Sequence, residues 1–535
     1  MKFIFTFLIL FCTFFNRAQE TFTRKDSLRG GLSIERKCFD VLRYDLNVSI
    51  DINKKFISGY NDIKFKIFDN TNSIQLDLFA NMQIDSIVLD SKRQNFKREF
   101  NSFFVNFDSD IQKNDTKTIR IYYSGNPTIA KNAPWDGGFV FNKSLSGKPW
   151  VGVACQGDGA SLWYPCKDSQ SDEPDFGATV DVEIPEELVA VSNGRLIENK
   201  PTSKGYARWK WEVKNPINSY NITLNIGDYV RFGENHIGLD LDYYVLKENL
   251  EKAKIQFQQV KPMMDCFQEK FGEYPFKSDS YKLVETPYLG MEHQSAVAYG
   301  NKYVNGYRGT DLSGTGVGML FDFIIIHESG HEWFGNSITS KDVADMWIHE
   351  GFTCYSESVF VECEFGKEKA QTYINGLRQN IQNDKPIIGQ YGVSNEGSGD
   401  MYYKAALMLN SIRHLVNNDA LWWQTIRGFS ETYRHQIINT EMVLEFFNKS
   451  LKQDLKLIFD QYLRHKNLPI LEIKKDKKGV YFKWISDVAG FAMPIDIKFN
   501  SKNYRFMVND VRRKSKLPIK NLSEIIVLDT FLFNK

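Results

Sequence analysis

Cysteine is scarce in this chain, 7 among 535 residues, and no two form a C-x-x-C pair. No disulfide framework is implied, and beyond Cys12 the thiols of Cys38, Cys155, Cys166, Cys266, Cys354 and Cys363 are expected to be buried and free. An excess of one charge is also missing. Lys+Arg 67 against Asp+Glu 66 gives a net charge of +1, so no global field attracts nucleic acid or an anionic membrane. Partners must be sought at a local site. Long apolar runs are absent too, apart from Phe3 to Phe15 behind Lys2. That run is short for a bilayer span of roughly 20 residues and suits a secretory signal. Residues 1–19 are therefore expected to be a signal peptide cleaved near Ala18 or Gln19, with a retained N-terminal anchor as the alternative. Cys12 lacks the small residue expected before a lipidated cysteine. An exported protein, periplasmic or secreted, with no integral membrane segment after signal removal is expected. There is no internal repeat, and the one lysine-rich stretch, KKDKKG, reads as a hairpin turn.

What is present is a globular composition, 42% hydrophobic and 25% charged. The length exceeds what one core supports, so about two to four domains are expected. From Tyr44 the sequence alternates: Leu46, Val48, Ile50 and Ile52 stand against Asn47, Ser49 and Asp51, and Ile63, Phe65 and Ile67 against Lys64 and Lys66. This period of two means half-buried strands. After about Glu248 the pattern turns helical and stays mostly so to Arg464. Alternation then returns, with Ile495, Ile497 and Phe499 opposite Asp496, Lys498 and Asn500. The fold class is a multidomain α+β chain.

Within the helical part lies IIIHESGHEWFGN, Ile324 to Asn336. On a helix, His327 and His331 share one face and both imidazoles reach one tetrahedral ion, with Glu328 turned about 100° from His327, near enough to touch a metal-held water. A catalytic zinc needs three protein ligands and an open position. Downstream stands DMWIHEGFTCYSES. If Asn336 to Lys341 turn the chain, a second helix returns Glu350 as third ligand to one Zn2+. Glu357, two turns on, is open between holding an imidazole through its second nitrogen and a solvated helix charge. His349 reads as a solvated or helix-packing residue.

H-E-x-x-H followed after eighteen residues by Glu, with WFGN behind the second His and W-x-x-E-G-F around the third ligand, resembles the aminopeptidase N family of gluzincin zinc metallopeptidases, which includes the leukotriene epoxide hydrolase. YDLNVSIDI is similar to the family's opening strand, PINSYNITLNIGDY to the close of its β domain, FGEYPF to the start of its catalytic fold, and FDQYLRHKNLPILEI to the passage into its third domain. The resemblance implies an N-terminal β domain over 20–235, a thermolysin-like, mainly helical catalytic domain over 236–465 and a small C-terminal β domain over 466–535. Too little chain follows His465 for the large C-terminal helical domain of bigger members. A more open cleft that admits longer peptides is expected.

YLGMEHQSAVAYG looks like the family's G-x-M-E-N loop. It implies that Gly290 and Met291 lie on the strand that receives the peptide, and that Glu292 binds the free α-ammonium, as a buried carboxylate does through a charge-assisted hydrogen bond. Leu289 stands where the family has Gly, and His293 where it has Asn. By the same resemblance Gln156, nine residues before Pro165, is a second amine contact. Tyr402 of MYYKAALML matches the Tyr of Y-x-K-G, which helps stabilise the oxyanion; Tyr403 is the alternative, and Ala405 replaces the Gly. Glu328 would be the general base. The implied partners are peptides with a free N-terminus; nothing fixes an oligomeric state. Rival readings are a zinc endopeptidase, a lipid epoxide hydrolase on the same site, and a noncatalytic protein-binding scaffold.

Overall fold

The computed structural model describes residues 21–203 and 205–534; the expected signal peptide lies outside them. Two short capped helices lead in, Arg24–Gly30 and Ile34–Lys37. The alternation from Tyr44 becomes the strand Phe39–Asp51, in which Leu46, Val48 and Ile50 are buried and the polar residues between them are not. It pairs antiparallel with Phe56–Ile67 and parallel with Ala178–Pro185, at the centre of an eight-stranded sheet. A four-stranded sheet packs beside it, and its strand Pro149–Ala154 runs directly into Gln156. These strands share one core.

A five-stranded sheet follows, ordered Tyr229–His236, Leu239–Leu246, Tyr281–Glu285, Val297–Tyr299, Gly290–Met291. Its first hairpin spans the expected 235/236 division. Gly290–Met291 is its edge strand. The rest of the central region is mainly helical, and its core continues into the C-terminal strands. Helix Phe323–Gly330 starts where the Asp322 carboxylate accepts the amides of Ile324 and Ile325. Its apolar residues Phe323 to Ile326 are all buried, which places it in the core beside helix Trp347–Phe365. Between the two helices the chain does not simply turn: Ile338–Ser340 forms a short strand, parallel to Gln436–Ile438.

Two small three-stranded sheets close the chain, built on Ile470–Asp476 with Gly479–Ile485 and on Ala492–Phe499 with Lys502–Asn509. KKDKKG is the turn of the first hairpin, where Asp476 pairs with Gly479. No large helical domain follows these sheets among the described residues. Among the described residues no helix is long and apolar enough to cross a membrane.

The thiols depart from expectation. Cys266 and Cys363 form a disulfide with their Cα atoms 6.0 Å apart, while Cys38, Cys155, Cys166 and Cys354 are free and buried. The pair is 97 residues apart in sequence. Only the packing of helix Val260–Phe271 against helix Trp347–Phe365 brings these cysteines together.

Candidate active site

His327 lies in the last turn of its helix, and His331 follows directly as its C-cap residue in helical conformation. Their rings stand 5.0 Å apart. From the neighbouring helix Glu350 comes to meet them: its Oε2 is 3.6 Å from His327 Nε2 and 3.4 Å from His331 Nε2. All three side chains are buried.

The tautomers of both imidazoles follow from their outer partners. His331 Nδ1 donates to the Phe334 carbonyl at 3.0 Å, and His327 Nδ1 donates to Glu357 Oε1 at 2.6 Å. In the neutral rings the lone pair is left on Nε2 in each case, facing Glu350. Glu350 Oε2 is itself a buried acceptor without a hydrogen-bond partner. Three converging lone-pair donors with no proton between them fit a cation. Zinc bonds of about 2.1 Å set tetrahedral donors roughly 3.4 Å apart, close to the spacings found here. Burial alone would raise the Glu350 carboxyl, but the charge of His331 and His327 in their protonated forms holds it well below the usual carboxylate range, and a cation between the neutral rings would act in the same direction.

Glu357 is thus buried and holds His327, with Tyr373 donating to its other oxygen at 2.7 Å. It is not a solvated charge. His349 is not solvated either: it is fully buried, and its Nε2 accepts the Ser340 amide at 2.8 Å. Burial pushes its pKa down to about 3, so it stays neutral.

Glu328 is half-buried on the cleft side of the same helix, and burial raises its carboxyl against the pull of the two imidazoles. The edge strand runs close by. A Cβ on Gly290 would lie 3.1 Å from Glu328 Oε1 and 2.8 Å from Ile324 Cγ2. A glycine at 290 lets the strand approach the helix at this point. Met291 is buried next to it.

Glu292 follows on, 2% exposed. Its Oε1 accepts from Gln156 Nε2 at 2.6 Å and from the Tyr220 hydroxyl at 3.1 Å. Gln156 Nε2 also reaches Glu350 Oε1 at 3.5 Å. Burial pushes the Glu292 carboxyl up to about 7. Tyr402 and Tyr403 both line the cleft. The Tyr402 ring lies 6.2 Å from that of His327, and burial followed by the Glu350 and Glu292 charges lifts its phenol well above the usual range, so it remains a donor. The strongest charge effects on Tyr403 come instead from Cys354 and Glu357. Lys404 of the same motif is buried and donates to the carbonyls of His465 and Lys466, tying this helix to the start of the C-terminal strands.

Two profiles of one family match the chain: the peptidase family M1 domain over residues 255–462 and the peptidase M1 N-terminal domain over residues 41–221. The chain belongs to peptidase family M1. Mouse aminopeptidase B is 25% identical over 319 residues, covering 56% of this chain and 46% of its own length. Leukotriene A-4 hydrolase of Xenopus laevis is 23% identical over 329 residues, 58% of this chain and 51% of its own. The chain spans about half the length of the curated relatives it matches. An M1 zinc metallopeptidase from Deinococcus radiodurans shares the fold, with a TM-score of 0.69 at 20% identity over 81% of this chain and 96% of that one. A mutant of that protein bound to a Tyr-Ser-Ala substrate superposes with a TM-score of 0.66 at 19% identity, again over 81% and 96% of the two chains.

Some participants at the site carry no mark in the sequence. Tyr220 lies within the stretch that resembles the close of the family's β domain, yet nothing there assigns its hydroxyl to Glu292. Phe323, four residues before His327, stacks on that imidazole at 4.9 Å; it reads only as helix core. Glu332 is buried beside His331 and accepts from Tyr274 at 2.8 Å and from the Ser295 amide at 2.9 Å, bracing the segment after Glu292.

Proposed function

We propose that the chain is an aminopeptidase that uses one zinc ion to remove the N-terminal residue from peptides. The observation that carries this reading is the Gln156–Glu292 pair set against the three-donor site, because only an exopeptidase needs a fixed anion there. Oε1 of Glu292 is occupied by Gln156 and Tyr220, which leaves its second oxygen and the Gln156 amide oxygen to accept from an α-ammonium. With the terminus held there, one residue fits before the cleaved bond.

His327, His331 and Glu350 would hold the zinc. When bound, the ion supplies Lewis-acid chemistry, polarising a carbonyl and making water nucleophilic near neutral pH. Glu328 takes the proton from the attacking water and passes it to the leaving amine. Tyr402 donates to the oxyanion, from a phenol that stays protonated. Gly290 and Met291 present the edge-strand backbone to the peptide. Glu357 positions His327.

We propose that the chain divides into a β domain to about 235, a catalytic domain to about 465 and a C-terminal β domain. Export to the periplasm or the medium is our reading of the N-terminal run; the Cys266–Cys363 disulfide supports it, since such bonds persist in oxidising compartments. The deciding experiment compares aminoacyl anilides with their N-acetylated forms, with and without chelator. Hydrolysis confined to free amines and abolished by chelator is expected. Equal cleavage of acetylated substrates would replace this reading with an endopeptidase.

A further inference from the structure

The cleft has a direction. Glu292, Glu328 and His331 offer donor atoms within 4.8 Å of one another, so the amine anchor stands at the His331 end. His327 marks the opposite end. There Phe323 stacks on the imidazole at 4.9 Å, and Tyr307 meets Phe323 edge-on at 5.3 Å. Leu289 and Leu312 also line the cleft, and Tyr307, Leu289 and Leu312 are only half-buried. Met319, which is 39% exposed, has its sulfur close to Gly306, the residue before Tyr307.

The charges that line the cleft are already accounted for. Glu350 faces the imidazoles, Glu292 is bonded to Gln156 and Tyr220, Glu357 to His327 and Tyr373, and Glu328 is the assigned base. No Lys or Arg lines it among the described residues. A charged side chain placed against the Tyr307 wall would lose hydration there, and the only cation among the described residues whose charge reaches the Tyr307 hydroxyl, Arg308, is itself exposed to solvent and so a weak, screened partner. A large apolar one would bury area, and an aromatic ring would add edge or offset contacts with Tyr307 and Phe323.

With the terminus at the His331 end and the scissile carbonyl at the metal donors, the residue after the cleaved bond falls at the His327 end. We infer that this end selects peptides whose second residue is aromatic or large and apolar, with Tyr307 as the specificity-determining side chain. The inference rests on the aminopeptidase reading and adds the substrate class to it.

The test uses the full chain with zinc and four peptides: Ala-Phe-amide, Ala-Ala-amide, Ala-Asp-amide and N-acetyl-Ala-Phe-amide. Wild type should prefer Ala-Phe-amide in kcat/KM and spare the acetylated form. In Tyr307→Ala the ratio of Ala-Phe-amide to Ala-Ala-amide should drop about three- to tenfold, the worth of one aromatic pair, chiefly through KM. Tyr307→Phe should restore it. Equal cleavage of the three free-amine peptides by wild type, or an unchanged ratio in Tyr307→Ala, would overturn the inference and leave the aminopeptidase reading standing. Cleavage of none of them would overturn both.

Discussion

The side-chain amide of Gln156 donates to Glu292 Oε1 over 2.6 Å, across 136 residues of sequence. One partner comes from the β domain and the other from the edge of the central sheet, so the amine anchor exists only when these two parts of the chain are docked. Truncating either side should weaken binding of a cationic terminus far more than it disturbs the metal donors. Gln156→Ala removes a hydrogen bond to a charged group, worth about 1.5–3 kcal/mol, and should raise KM roughly ten- to a hundredfold. Glu292→Ala should cost more, at least about a hundredfold in kcat/KM, by removing the charge partner itself. Steady-state kinetics on Ala-Ala-amide, with zinc content measured in parallel, checks both.

Glu328 faces the cleft but is not one of the three converging donors. Glu328→Gln should therefore bind one zinc ion per chain and lose about 100- to 10,000-fold in kcat, the usual span for a general base. Retention of full turnover would remove Glu328 from that role.

Glu357 acts on the metal through His327 Nδ1. Its replacement by Ala frees that imidazole to rotate and should lower zinc affinity about 10- to 100-fold, measured by competition with a chelator of known affinity. Excess zinc should recover most of the activity, which loss of a residue acting on the substrate would not allow.

Gly351 follows Glu350 on its helix, and a Cβ there would come within 2.7 Å of Ala405 Cβ and 3.3 Å of the Met401 carbonyl. In an unconstrained helix Gly→Ala stabilises by about 0.4–1 kcal/mol. Here the sign should reverse: Gly351→Ala should destabilise by about 1–3 kcal/mol through overpacking, and it should also disturb Glu350 and Tyr402 together. Adding Ala405→Gly reopens the space, so the double variant should recover stability in urea titration.

Lys282 is buried with its ammonium donating to the Gly194 carbonyl and lying 5.4 Å from the centre of the Trp211 ring. Burial pushes its pKa down to about 7, against Asp242, Asp279 and Glu332, which pull it back up. An unfolded lysine titrates near 10.4. Between these values the unfolded chain carries a proton that the native chain has released, so stability rises with pH across that window and is lost as pH falls through about 7. Lys282→Met removes the dependence. The difference in unfolding free energy between wild type and variant should shift in favour of wild type by up to ~1.4 kcal/mol per pH unit from pH 7 to pH 10, read from denaturant titrations at each pH. A flat difference would mean that Lys282 keeps its ordinary pKa.

Much of the site was legible because its spacing is local. His327 and His331 share a face on any helix, and Glu328 then falls beside them. The strand that begins at Phe39 was legible for the same reason, since a period of two is written in neighbouring residues. Glu350 is reached from the need for a third ligand and a helix that returns after a turn, whereas Glu292, Gln156 and Tyr402 are legible only through resemblance to a family. No local rule connects these three to the paired imidazoles. The Cys266–Cys363 bond is not legible in the sequence, because two cysteines without a spacing motif say nothing about distance. Glu357 and His349 were open to a solvated reading, since burial of a single charged or polar side chain depends on what packs over it.

By itself the sequence determined the periodicities, and with them which stretches are strands or helices and which faces turn inward, because side-chain direction follows from backbone geometry over a few residues. It also determined the paired imidazoles and their adjacent glutamate. Only the tertiary structure decided which carboxylate meets those imidazoles, which tautomer each ring adopts, and that Tyr220 and Gln156 meet on one oxygen of Glu292. Those outcomes depend on ångström-scale contacts between groups that are not neighbours in the sequence, 136 residues apart in the case of Gln156 and Glu292, and such distances are set by how whole elements pack.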